Sequence, residues 1–164
     1  MLTQTYGILG EPAPDWNVAE WINLPTDQHH LERTDLAGKL IYLYGFQSWC
    51  PGCHSHGFPT LKAVQSHFAD DERVVFVAVQ TVFEGFHANT LDTARQTAER
   101  HNLTIPFGHD APNGQRSNMM QAYRTGGTPW TVLIDPAGIV RYNEFHAHPN
   151  EMVQRMEMIL DERA

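Results

Sequence analysis

Cysteine is scarce in this chain: two residues in 164, Cys50 and Cys53, three positions apart. Scarcity excludes the disulfide framework of small secreted domains, and the spacing points to a pair that reacts rather than staples. Basic residues are also few. Lys and Arg number 11 against 19 Asp and Glu, a formal net charge of −8. No cationic stripe is available for phosphates, which excludes nucleic acid and anionic membrane as partners. Long apolar runs are missing too. The first 30 residues contain no apolar stretch beyond two or three residues and no basic leader, so neither a signal peptide nor membrane insertion is expected. The expected location is cytoplasmic, with the periplasm or another exported site as the alternative if a signal has been removed.

What is present suits one domain, 1–164 with its core over 10–160. Gly10 to Trp16, "GEPAPDW", is turn-rich and reads as a lead-in. Lys39 to Phe46, "KLIYLYGF", is a short apolar run of the kind a strand buried on both faces displays. Phe58, Leu61, Val64 and Phe68 then recur every three or four positions. They predict an amphipathic helix that starts at Cys50, ends near Ala69 and kinks at Pro59. Arg73 to Gln80, "RVVFVAVQ", is a second strand, parallel to the first after the crossover helix.

Further along, Leu91 to His101 predicts a helix, Leu103 to Gly108 a short strand and Ser117 to Arg124 another helix. Trp130 to Ile134 and Ile139 to Phe145 flank "DPAG" and predict an antiparallel hairpin. From Asn150, Met152, Val153, Met156, Ile159 and Leu160 share one face of a last helix. The order β, α, β, α, β, α, β, β, α describes a mixed central sheet with helices on both faces, a three-layer α/β/α architecture. In such sheets the chemistry gathers at the carboxyl ends of strands, where Cys50 lies.

The stretch "SWCPGCHSHGFP", Ser48 to Pro59, spells both the C-x-x-C-H haem attachment pattern and a C-x-x-C redox pair. A helix start lowers a thiol pKa by exposing unpaired N–H groups and the positive end of the helix dipole, which makes Cys50 the candidate nucleophile. Cys53, one turn on, is placed to resolve a mixed disulfide. Pro51 fits the first helical turn, and Gly52 lets a partner backbone come close. Electrons would be carried by a redox-active Cys50–Cys53 disulfide, with no other cofactor and no metal. The zinc-like set Cys50, Cys53, His54 and His56 is weak because His54 and His56 point in different directions on a helix. His29, His30, His87, His101, His109, His146 and His148 are expected at the surface, and Arg124 and Arg141 as solvated or salt-bridged.

"FQSWCPGC" after a buried strand, "GGTPW", "IDPAGIV" and the lead-in "GEPAPDW" together resemble the thioredoxin superfamily. The resemblance is to its TlpA/ResA-like redoxin branch, related to AhpC/TSA proteins, and covers about residues 10–160. It implies a thioredoxin-like fold with a redoxin-type insertion, Leu91 to Gly108, between the central strands. It also implies a cis-proline loop at Thr128-Pro129, whose backbone would bind an extended substrate strand beside Cys50. Trp49, Phe46 and Trp130 would rim an apolar docking surface. The implied activity is thiol-disulfide oxidoreduction, a reductase of protein or peptide disulfides supplied by an upstream thiol electron donor.

Two departures from the family stand out. Thioredoxin keeps a buried Asp six positions before its first cysteine, where this chain has Tyr44. ResA-like members carry a Glu three positions beyond the second cysteine, where this chain has His56. His54 or His56 is therefore the candidate proton acceptor. A peroxiredoxin-type thiol peroxidase is the alternative, although its P-x-x-x-T-x-x-C pattern meets Leu43 and Gln47 here. A metal or haem carrier is the third reading.

Overall fold

The computed structural model describes residues 5–145 and 147–162 of the chain; His146 lies outside them. Six strands form one sheet in the order β1-β4-β3-β2-β5-β6: β1 Glu20–Ile22, β2 Leu40–Phe46, β3 Val74–Thr81, β4 Phe107–Asp110, β5 Trp130–Ile134 and β6 Val140–Glu144. β2, β3 and β4 run parallel, while β5 pairs antiparallel with β2 and with β6, and β1 antiparallel with β4. The helices are α1 Phe58–His67, α2 Leu91–Arg100, α3 Asn118–Tyr123 and α4 Pro149–Asp161.

Two-residue alternation divides the core. Leu40, Tyr42, Tyr44 and Phe46 of β2 face Leu61 and Val64 of α1, Ala94 and Ala98 of α2, and Met152 and Met156 of α4. Ile41 and Leu43 face the other way, against Met119 and Tyr123 of α3 and against Trp16 and Val18 of the N-terminal segment. With both faces covered, all seven residues of β2 are buried, as a central strand with parallel crossovers requires. The two crossovers, β2 to β3 through α1 and β3 to β4 through α2, step the same way across the sheet and place both helices on one face.

Several boundaries depart from the sequence expectation for identifiable reasons. The strand expected over Leu103 to Gly108 is β4, Phe107–Asp110. Asn102 takes a left-handed φ of 54° after α2, and Pro106 has no N–H to give a ladder, so pairing starts at Phe107 opposite Ala78. β1 was not anticipated, because three residues are too short to show a period. Where a kink is expected at Pro59, the helical run carries a π turn just before it, Cys53–Gly57, in which Phe58 N–H donates to the Cys53 carbonyl. Ser117 and Arg124 are caps of α3 rather than members. The Ser117 side chain accepts from Met120 N–H, and Arg124 adopts the left-handed cap conformation. Among the described residues no helix is long and apolar enough to cross a membrane.

Candidate active site

β2 ends at Phe46, and the chain turns through Gln47–Cys50 into a helical run over 51–67. Cys50 N–H bonds the Gln47 carbonyl at 3.1 Å, and Cys53 and His54 N–H groups return to the Cys50 carbonyl. Cys50 therefore stands where the helix begins. Cys50 and Cys53 are joined as a disulfide, with Cα atoms 5.3 Å apart. Cys50 is half-buried and Cys53 fully buried. The Cys53 backbone N–H donates to Cys50 Sγ at 3.1 Å, a contact that in the reduced pair favours a thiolate at Cys50.

Opposite the sulfurs, the Thr128-Pro129 peptide bond is cis. The Thr128 carbonyl oxygen lies 3.7 Å from Cys50 Sγ. A Cβ built on Gly52 would meet Pro129 Cδ at 3.6 Å, so the two loops face each other across a narrow gap. Pro51 is exposed, Gly52 and Thr128 half-buried, and Pro129 buried. Trp49 is 46% exposed and lies over Gly85, whose positive φ and missing Cβ admit the indole ring.

The other two expected rim residues are internal. Phe46 is fully buried among Tyr44, Phe58 and Phe107. Trp130 is 7% exposed, and its indole N–H donates to Asn143 Oδ1 at 2.5 Å. Burial of both faces of the sheet leaves no outward side for either ring, so Trp49 alone of the three is presented at the surface.

The two histidines separate clearly. His56 Nε2 donates to the Ala147 carbonyl at 2.8 Å, which ties the cysteine helix to the segment before α4. His54 Nε2 donates to the Ser48 carbonyl at 2.6 Å, and its Nδ1 lies 2.7 Å from His101 Nε2. The His101 ring stacks on Phe58 at 4.2 Å. Burial, and then His54, push the His101 pKa down to about 4. His101 and His109 are thus corrections to the surface expectation. His109 is 8% exposed and bonded to Gln80 Nε2 at 3.1 Å, and burial lowers its pKa.

Tyr44, at the position of the thioredoxin Asp, is also placed for a reason. Its hydroxyl donates to the Cys53 carbonyl at 3.2 Å and fills the space beside Gly57. Burial raises its pKa well above the usual phenol range, so it is a neutral donor and not a base.

Sequence reasoning missed the polar layer beneath the loop. Fully buried Gln80 takes Ser48 N–H and Oγ–H on its Oε1, at 2.7 and 2.5 Å. Thr97 Oγ1 donates to Ser48 Oγ at 3.1 Å, and Asn89 Oδ1 accepts Trp49 N–H at 3.1 Å. A Gln closing the β-branched run Arg73 to Gln80 was the available signal, while Asn89 stands outside any periodic run.

The AhpC/TSA family model matches residues 9–143. The thiol-disulfide oxidoreductase ResA of Oceanobacillus iheyensis is 28% identical over 130 residues, 79% of this chain and 61% of that protein. The thiol:disulfide interchange protein DsbE of Xylella fastidiosa is 27% identical over 149 residues, 90% of this chain and 66% of that protein. The chain thus spans 61% and 66% of these curated relatives' lengths. Among solved structures, a thioredoxin-like superfamily protein is 32% identical with a TM-score of 0.83, covering 91% of this chain and 96% of that one. A thiol-disulfide isomerase from Corynebacterium glutamicum is 28% identical with a TM-score of 0.74, covering 92% and 94%. A mixed sheet with the cysteine pair at the end of its central strand, a facing Thr128-Pro129 and these matches lead to one assignment: the chain has the thioredoxin-like fold and belongs to the AhpC/TSA family.

Proposed function

We propose that the protein is a thiol-disulfide oxidoreductase that reduces protein or peptide disulfides through Cys50 and Cys53. The observation that carries this reading is a bridged pair with one half-buried sulfur at a helix start and one fully buried sulfur a turn inside. In the reduced form the Cys50 thiolate attacks a substrate disulfide. A Cys50–substrate S–S bond forms, the substrate's own S–S bond breaks, and the departing thiolate takes a proton. Cys53 then loses its proton and attacks Cys50 Sγ, releasing the second substrate thiolate. The substrate gains two electrons and the pair is oxidised. An upstream thiol donor restores the dithiol, and the redox poise of the compartment sets the net direction.

Substrate backbone is proposed to run along Thr128-Pro129, with Trp49, Pro51 and Gly52 completing the contact surface. His54 is the better candidate acceptor for the Cys53 proton. It follows Cys53 directly, and its Nδ1 takes the proton once the His101 N–H releases it, whereas His56 bonds toward α4. A peroxidase reading has less support. Leu43 is buried in β2, and the Gln47 Oε1 accepts the Phe83 N–H at 3.1 Å, so neither position presents a hydroxyl to a peroxide.

The test is the full chain carrying Cys53→Ala, reduced and offered a disulfide-bonded polypeptide. A mixed disulfide through Cys50 is expected, with Cys50 alkylated faster than an ordinary thiol at neutral pH. No mixed disulfide, with Cys50 alkylating at the rate of a free cysteine, refutes the function. His54→Ala should alter the pH profile of resolution where His56→Ala does not; an unchanged profile in both removes histidine from the proton step.

A further inference from the structure

Ser48, two residues before Cys50, is held at every polar group it has. Its N–H and hydroxyl bond Gln80 of β3, its Oγ accepts from Thr97 of α2, and its carbonyl accepts from His54. The next residue, Trp49, is fixed through its N–H to Asn89. The loop that delivers Cys50 is therefore seated on β3, α2 and Asn89 as well as on the cysteine helix. Thr97 of α2 and His101, which caps that helix with its N–H on the Thr97 carbonyl, stand four residues apart, and the first bonds Ser48 while the second bonds His54.

The His54 contact depends on its tautomer. A carbonyl oxygen only accepts, so the 2.6 Å bond to Ser48 requires the hydrogen on His54 Nε2. Neutral His54 then has a bare Nδ1, which accepts from His101 Nε2–H across 2.7 Å. Remove the donor at 101, and His54 is free to carry its hydrogen on Nδ1 instead. Two acceptors, Nε2 and the Ser48 oxygen, would then face each other and the contact would open. The second ring nitrogen's partner selects the tautomer here, as it does for histidines elsewhere.

We propose that His101 is a positioning residue for the Cys50–Cys53 exchange: it fixes His54 in the Nε2–H form, and His54 in turn holds the Ser48 carbonyl and the loop that carries Cys50. This rests on the exchange activity proposed above. The surroundings favour the donor role. His101 is packed on Phe58, and its pKa is lowered by burial, by His54, and by the cations Arg100 on its own helix and Lys62 on α1. It therefore stays neutral at physiological pH and carries a single ring hydrogen, placed on Nε2 to meet the bare His54 Nδ1.

The experiment compares wild type, His101→Gln and His101→Phe. Glutamine places an N–H donor where His101 Nε2 stands, and phenylalanine keeps the stacking ring without a donor. The nitrogen chemical shifts of His54 report its tautomer, and alkylation of reduced protein against pH reports the Cys50 thiolate. Wild type and His101→Gln should have His54 in the Nε2–H form, and His101→Phe a mixture. In His101→Phe, Cys50 should alkylate about 2- to 10-fold more slowly at neutral pH, the range that loss of one hydrogen bond gives, with its midpoint shifted upward. His101→Gln should restore both. An Nδ1–H tautomer in wild type overturns the proposal without any variant, and so does one alkylation profile common to all three proteins. A wild-type Cys50 no more reactive than a free cysteine, with the tautomers as expected, instead overturns the exchange reading beneath it.

Discussion

A single missing carbon shapes the resolving end of the site. A Cβ on Gly57 would lie 1.9 Å from Tyr44 Oη, 2.7 Å from Cζ and 2.9 Å from Cε1. Gly57 has ordinary helical angles, φ −64° and ψ −52°, so sterics alone oppose a side chain there. Gly57→Ala should cost about 1–3 kcal/mol, the usual range for overpacking. Tyr44→Phe should cost about 0.5–1.5 kcal/mol for the lost bond to the Cys53 carbonyl. Together they should cost less than the sum but more than Tyr44→Phe alone, because removing the hydroxyl leaves two ring carbons still in the way. Urea titration of the four proteins measures this, and strict additivity would refute the contact. Sequence could point to Tyr44 as the residue standing where a family carboxylate is expected. It could not say that the hydroxyl meets a carbonyl rather than a thiol, because the π turn before Pro59 sets that geometry.

At the level of elements, α3 starts on a buried acid. Asp110, at the end of β4, is 2% exposed and accepts the Ser117 hydroxyl at 2.6 Å and the Met119 N–H at 2.8 Å. Burial raises its pKa despite these bonds. A carboxyl whose folded pKa lies above its unfolded value of about 4 stabilises the fold fully below that value and loses the contribution as pH rises through the folded pKa. Asp110→Asn keeps an oxygen for both donors and removes the ionisation. Its stability relative to wild type should therefore improve as pH climbs above about 4, and parallel stability curves across that range would be the contrary result. The element pattern was legible where a signal ran on: β2 and β3 emerge from apolar, β-branched runs, the cysteine helix and α4 from apolar spacing, and α2 from a run of helix formers. β1 and the start of β4 were not, since three- and four-residue strands carry no period and Pro106 shifts the boundary. The site was half legible for a related reason. Cys50 and Cys53 are local in sequence, but Gln80 and Thr97 reach Ser48, and His101 reaches His54, only through tertiary packing.

Over the whole molecule, the lead-in segment is structural. Trp16 is fully buried, its Nε1–H donates to the Tyr123 hydroxyl at 3.1 Å, and its backbone N–H is taken by the Glu32 carboxylate. Gly10 and Ala13 N–H groups bond the carbonyls of Val140 and Gly138 across the far hairpin. Trp16→Ala should cost about 3–5 kcal/mol, read as an earlier urea midpoint with Cys50 reactivity retained in the folded fraction; a midpoint unchanged from wild type would mean the segment only rests on the surface. Such closure by remote pairs also orders events in time. The seat of Ser48 draws on residues 80, 89, 97 and 101, and β2 gains its second neighbour only at β5. A chain emerging from the ribosome therefore exposes both thiols for tens of residues before anything can shelter them, and contacts of such long sequence separation are the slow ones to form. Until then the newborn chain is itself an unfolded polypeptide with two unprotected thiols, open to pairing with the wrong cysteine.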